Sequence, residues 1–126
     1  MTYTKNYIVV IFNNHIDDKD FATAEARNIY FSENKTKFIE KEIIFLEAEL
    51  LDESFVEILD IISKYNDDSM IGLDEDDVIY SNDIKQQCHT AIKELCTNNR
   101  CSSKTLQLMD LLDLAVKNDK NVYFLF

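Results

Sequence analysis

Tyr7-Ile8-Val9-Val10-Ile11-Phe12 is the stretch from which the rest of the chain is read. Its six consecutive residues are all β-branched or aromatic. Polar Thr4-Lys5-Asn6 precedes it and Asn13-Asn14 follows it. Such a run packs well on a pleated surface and poorly on a helix. It is apolar on both faces, which suits a strand covered on both sides. Val122-Tyr123-Phe124-Leu125-Phe126 repeats the pattern after a turn at Asn118-Asp119-Lys120-Asn121. The two strands are expected to pair in parallel, with helices as the connections. A two-stranded sheet is marginal alone. A third strand is therefore expected in Ile43 to Leu46 or Val78 to Tyr80, unless helices cover the ribbon.

The chain between these strands reads mainly as helix. Asp17-Asp18-Lys19-Asp20 supplies capping carboxylates for a segment carrying Phe21, Ala24, Ile29 and Phe31. From Lys35 to Leu51, Phe38, Ile39, Ile43, Leu46 and Leu50 fall near helical spacing. A helix is expected there, with a strand at Ile43 to Leu46 as its rival. Asp52 caps a helix whose inner face is Phe55, Ile58, Leu59 and Ile62, fraying at Tyr65-Asn66. Ser81 or Asp83 starts another, on which Ile84, Cys88, Ala91, Ile92, Leu95 and Cys96 repeat at helical intervals. Ser102 or Ser103 caps the last, lined by Leu106, Met109, Leu112 and Val116. The expected class is a helix-dominated α+β fold, with about four to five helices on a small sheet that contains both terminal strands. By length, residues 1–126 are expected to form one domain.

Composition narrows the function classes. The chain holds eight Phe, six Tyr, one Gly and no Pro, and its net charge is −11. Phosphate-cradling loops and nucleophile elbows need several glycines, so none can be built here. The acidic balance argues against direct binding of nucleic acid or anionic membrane, both of which need basic patches. No apolar run approaches the roughly 20 residues of a membrane span. The start, Met1-Thr2-Tyr3-Thr4-Lys5, lacks the pattern of a secretory signal, so the chain is expected in the cytoplasm. There its three cysteines are expected to be free thiols, and the sequon Asn34-Lys35-Thr36 unmodified.

Charge is not spread evenly. Asp67, Asp68, Asp74, Glu75, Asp76, Asp77 and Asp83 fall within residues 66–83, with no Lys or Arg among them. A calcium loop with Gly72 at its sixth position would have Asp67 first and Ser69 third. Its fifth and twelfth positions would then be Ile71 and Val78, which cannot supply the side-chain carboxylates required there. No metal or cofactor is therefore expected. Cys88 and Cys96, with His89 and Cys101 nearby, lack the paired spacing of a zinc site and read as small core residues. His15 lies near Asp17 and Asp18, without a nucleophile in any recognisable register. The chain is expected not to be an enzyme.

What remains is recognition. Carboxylates fixed on a scaffold imitate a phosphate track and accelerate encounter with a basic surface. Tyr65, Met70 and Tyr80 beside them are residue types favoured at interface centres. The expected contact is Asp67, Asp68, Asp74, Glu75, Asp76, Asp77, Tyr80 and Asp83. The apolar N-terminal strand, together with Leu111 to Val116 feeding Val122 to Phe126, resembles small acidic bacterial immunity proteins of contact-dependent inhibition and related toxin systems. That resemblance implies a non-catalytic inhibitor whose partner is a basic toxin domain, often a nuclease, with neither nucleic acid nor membrane as partner. Phage-type inhibitors that mimic nucleic acid have the same composition and form the alternative. A divalent-metal domain and a homo-oligomeric regulatory domain are the remaining ones.

Overall fold

The computed structural model describes residues 7–12, 22, 23, 25, 26, 29, 39–66, 77–98 and 101–126. In chain order these form β1 (Tyr7–Phe12), β2 (Ile39–Phe45), α1 (Glu47–Leu50), α2 (Glu53–Tyr65), β3 (Asp77–Ile79), α3 (Asn82–Asn98), α4 (Ser103–Lys117) and β4 (Val122–Leu125). Four helices among the described residues pack on a four-stranded sheet of order β2-β1-β4-β3. This is the expected α+β class. The segment expected to form a helix around Phe21 to Phe31 lies mostly outside the described residues.

β1 and β4 occupy the two central positions of the sheet. Val9 and Ile11 at 0% exposure and Val10 at 2% are buried on both faces, as a central strand should be. Their pairing is antiparallel, not parallel: Ile8 faces Leu125, Val9 faces Phe124 and Val10 faces Tyr123. In this direction like faces meet across the strands. Phe12 and Tyr123 pack with ring centroids 5.4 Å apart on one side, and Val9 sits opposite Phe124 on the other.

The expected helix over Lys35 to Leu51 is also corrected. Ile39–Phe45 is a strand antiparallel to β1, and only Glu47–Leu50 is helical. Glu and Lys favour a helix locally, but pairing with β1 buries Ile43 and Phe45 on the core face, and that burial prevails. The register slips between Ile11 and Phe12, so that Ile39 rather than Glu40 faces Phe12. This bulge keeps an apolar residue against Phe12. Glu40 turns outward and accepts a 2.9 Å hydrogen bond from the Asn118 side chain.

The helices follow their apolar stripes. α2 buries Phe55, Ile58, Leu59 and Ile62, the inner face read from the sequence. α3 buries Cys88 and Ile92, and α4 buries Leu108, Leu111, Leu112 and Ala115. All of these join Val9, Ile11, Ile43, Phe45, Val122 and Phe124 in one apolar cluster. Phe45 is central to it, with Phe55 at 4.8 Å and Phe126 at 6.4 Å between ring centroids. The opposite face of the sheet holds a smaller cluster of Val10, Phe12, Val78 and Tyr123.

α4 ends in a Schellman motif. The Lys120 amide donates to the Ala115 carbonyl and the Asp119 amide to the Val116 carbonyl. Asp119, at φ 54°, takes the left-handed conformation usually given to glycine there. Its carboxylate accepts 3.0 Å from Asn82, whose own carbonyl oxygen accepts 2.9 Å from the Lys85 ammonium. This chain of polar contacts ties the start of α3 to the turn that aims β4. Lys85 is fully buried, and desolvation holds its pKa below the usual lysine value, with Asp119 opposing the shift.

Candidate acidic interface

Asp67, Asp68, Asp74, Glu75 and Asp76 lie outside the described residues. Asp77, Tyr80 and Asp83 lie within them. Asp77 opens β3 and is half-buried, its carboxylate accepting 2.9 Å from the Asn66 side-chain amide. The same amide nitrogen reaches the Val78 carbonyl at 3.1 Å. Asp77 therefore helps fasten the end of α2 to β3. Tyr80 is 49% exposed. Asp83 lies in the first turn of α3 and borders an open depression of about 440 Å³ with Tyr65, Gln87, Thr90 and Glu94.

The fold presents a second acidic run; sequence reasoning had weighed Glu40, Glu42, Glu47 and Glu49 as another acidic face but not the acids of α2. From Leu46 to Ser63 the chain carries Glu47, Glu49, Asp52, Glu53, Glu57 and Asp60, with no Lys, Arg or His. All except half-buried Glu49 are exposed. Glu53, Glu57 and Asp60 lie on the outer face of α2, opposite Phe55, Ile58, Leu59 and Ile62. At a rise of about 1.5 Å per residue they recur roughly every 5 Å along the axis. One strand of DNA presents a charge about every 3.4 Å, so α2 alone carries about two-thirds of that linear density. α3 packs beside α2 and adds exposed Asp83 and Glu94. Leu46, Leu51 and Val56 stand among these acids at 59%, 57% and 40% exposure, giving the face apolar points of contact. The signal was in the chain: acids at i, i+4 and i+7 on the polar side of a helix whose apolar side was read correctly.

One of these carboxylates is fixed as a cap. Asp52 accepts 3.0 Å from the Ser54 amide and also from its hydroxyl. These bonds, led by the hydroxyl, hold its pKa below the ordinary 3.8. The folded pKa is therefore depressed, and the stabilisation is present above the unfolded value and is lost as pH falls through the folded one. Asp52→Ala is expected to melt at a lower temperature than the native chain at pH 7. The gap should close on acidification below pH 3.8, followed by calorimetry. A gap that persists at the lowest pH would mean that the ionised carboxylate is not what stabilises the helix.

Other chemistries have little support in the geometry. Among the described residues, no three His, Cys, Asp or Glu side chains are grouped to hold a metal ion. His89 Nε2 lies 3.2 Å from Asp113 Oδ2, a pairing across α3 and α4 that the sequence did not reveal. Cys88 is fully buried, and desolvation pushes its thiol up to about 11, far from a nucleophile at neutral pH. Cys96 and Cys101 are joined as a disulfide with Cα atoms 5.3 Å apart, which corrects the expectation of three free thiols. The two positions bracket the α3–α4 connection, so the fold brings them within bridging reach. No helix among the described residues is long and apolar enough to cross a membrane.

No family model matches the chain, and no curated protein matches it. Among solved structures it is similar to the Neisseria DNA mimic protein DMP12, with a TM-score of 0.67 and 15% identity over 97% of this chain and 100% of that one. At this identity the likeness defines the fold that the two chains share. It also corrects the partner expected from the sequence. The matched protein is described as a mimic of DNA, not as an antidote to a toxin domain. That description agrees with the nucleic-acid-mimic alternative of the sequence reading and not with its main one.

Proposed function

We propose that this chain is a DNA mimic: a non-catalytic inhibitor that occupies the DNA-binding surface of a basic protein. The whole-chain likeness to a protein described as a DNA mimic carries the reading. The net charge of −11 and the acidic outer face of α2 support it. A protein that grips DNA places Lys and Arg along a phosphate track, and counterion release supplies much of its affinity. Carboxylates held at comparable spacing on a rigid helix offer the same electrostatic target without a sugar–phosphate backbone. Leu46, Leu51 and Val56 add apolar contacts that DNA lacks, so partners can be distinguished by shape as well as by charge.

The test is competition. The chain is immobilised, exposed to a lysate of its own host, and washed with duplex DNA at constant ionic strength. At least one retained basic protein is expected to be released by the duplex, and the purified chain should then displace labelled duplex from that protein. If duplex DNA releases none of the retained proteins, the proposal is overturned.

A further inference from the structure

We infer that the Cys96–Cys101 bridge is a redox-responsive clasp that governs the described form of the acidic face where α2 begins. Cys96 lies in the last turn of α3, and Cys101 immediately precedes Ser102, the N-cap of α4. The bond, spanning five positions of sequence, joins the end of one helix to the cap of the next. Ser102 Oγ accepts from the Thr105 amide at 3.3 Å and lies 3.1 Å from the Thr105 hydroxyl, so the clasp sits one residue from the contacts that start α4.

Its surroundings connect it to the acidic face. Cys101 borders a depression with Glu53, Ser54, Glu57, Leu95 and Thr105, and Cys96 packs against the main core from the other side. The clasp therefore shares this depression with the first turns of α2, where two of the three α2 carboxylates stand. Both half-cystines are partly exposed, the situation in which a disulfide is labile rather than permanently protected. Cys88, the third cysteine, is buried and its thiol stays protonated, so exchange is confined to this pair.

The chemistry is thiol–disulfide exchange with a dithiol. The dithiol's thiolate attacks one sulfur of the bridge and displaces the other as a thiolate. Its second thiol then closes, expelling the first sulfur. One S–S bond breaks in the chain and one forms in the dithiol. Two electrons and two protons pass to Cys96 and Cys101. An oxidised dithiol reverses the step. Oxidised, the bridge fixes Cys101 at the rim of the depression it shares with Glu53 and Glu57. Reduced, it leaves the α4 cap and the first turn of α2 without that tether. The inference does not depend on the partner proposed above.

Amide hydrogen exchange on the full chain tests it, before and after dithiothreitol and again after reoxidation. Reduction is expected to speed exchange on the order of tenfold or more at Cys101 to Thr105 and at Glu53 to Glu57. Amides of β1 and β4 should stay protected, and reoxidation should restore the original rates. Cys96→Ser with Cys101→Ser should match the reduced chain, and the reduced native chain gives the answer if that variant does not fold. Unchanged exchange after reduction would overturn the inference. So would loss of protection throughout the sheet, which would make the bridge a structural staple and not a clasp.

Discussion

Glu53→Gln, Glu57→Gln and Asp60→Asn together should slow association with the DNA-displaceable partner by roughly 10- to 100-fold at low ionic strength. Long-range attraction sets the rate of encounter, and these three exposed carboxylates share the outer face of α2. The exchanges keep side-chain size and leave the buried face of α2 untouched. Stability should move by no more than about 0.5 kcal/mol for each exposed site. The effect should shrink as salt rises, because screening acts on the native chain more than on the variant. Stopped-flow measurement at two salt concentrations gives the answer. An unchanged rate would remove the outer face of α2 from the interface. The companion variant is Asp74→Asn, Glu75→Gln and Asp76→Asn. It spares Asp77, whose bond to Asn66 helps hold α2 to β3.

Phe45→Ala should cost about 3–5 kcal/mol of stability, the largest effect of any substitution considered. Phe45 is 0% exposed and stacks near Phe55 and Phe126, and its ring lies 5.5 Å from the Lys104 ammonium. Lys104 also donates to the Ile44 carbonyl, bringing α4 onto β2 beside this ring. Truncation leaves a cavity where the sheet, α2 and α4 meet. Domains of this size are held by about 5–15 kcal/mol in total, so the variant would sit close to unfolding. Urea titration should show a lower midpoint with little change in slope. A loss below about 1 kcal/mol would mean that the neighbouring rings close over the gap and that Phe45 is not central to the core.

Much of the fold was legible wherever one physical demand dominated. β1 and β4 are apolar on both faces, and each proved central. α2 and α3 carry apolar residues at helical intervals and bury members of the stripe that was read, whereas α4 is turned from the stripe read for it: Leu108, Leu111, Leu112 and Ala115 face the core and Leu106 is 52% exposed. Ile39 to Phe45 was misread because two signals compete there. Glu40, Lys41 and Glu42 favour a helix, while the alternation that buries Ile43 and Phe45 appears only once β1 lies alongside. The bulge at Glu40 further disguises that alternation. The direction of β4 depends on contacts between the two ends of the chain, which local pattern does not encode. The cystine was not expected because a reducing compartment was, although the five-position separation of Cys96 and Cys101 allows a bridge.

The acidic character of the chain was legible, while the way the fold groups its acids was only partly so. The run of acids after Asn66 drew attention, yet its best-described member, Asp77, is a structural tether. The i, i+4, i+7 acids of α2 were less conspicuous, because only their helical spacing brings them together. Acidic composition is shared by immunity proteins and DNA mimics. Only the likeness in fold favours the second.

The central position of β4 bears on how the chain folds. Val10 and Tyr123 pair although they lie roughly 110 residues apart, so the sheet closes only by a long-range contact of the kind that slows folding. During synthesis at about 5–20 residues per second, β1 waits roughly 6–22 s for that neighbour. Throughout this interval one edge of a very apolar strand lacks its final cover, the circumstance in which strands of different chains associate. Mutual repulsion among chains carrying a net charge of −11 acts against that association. The charge read here as an imitation of DNA thus has an earlier use, in keeping unfinished copies of the protein apart until the last strand arrives.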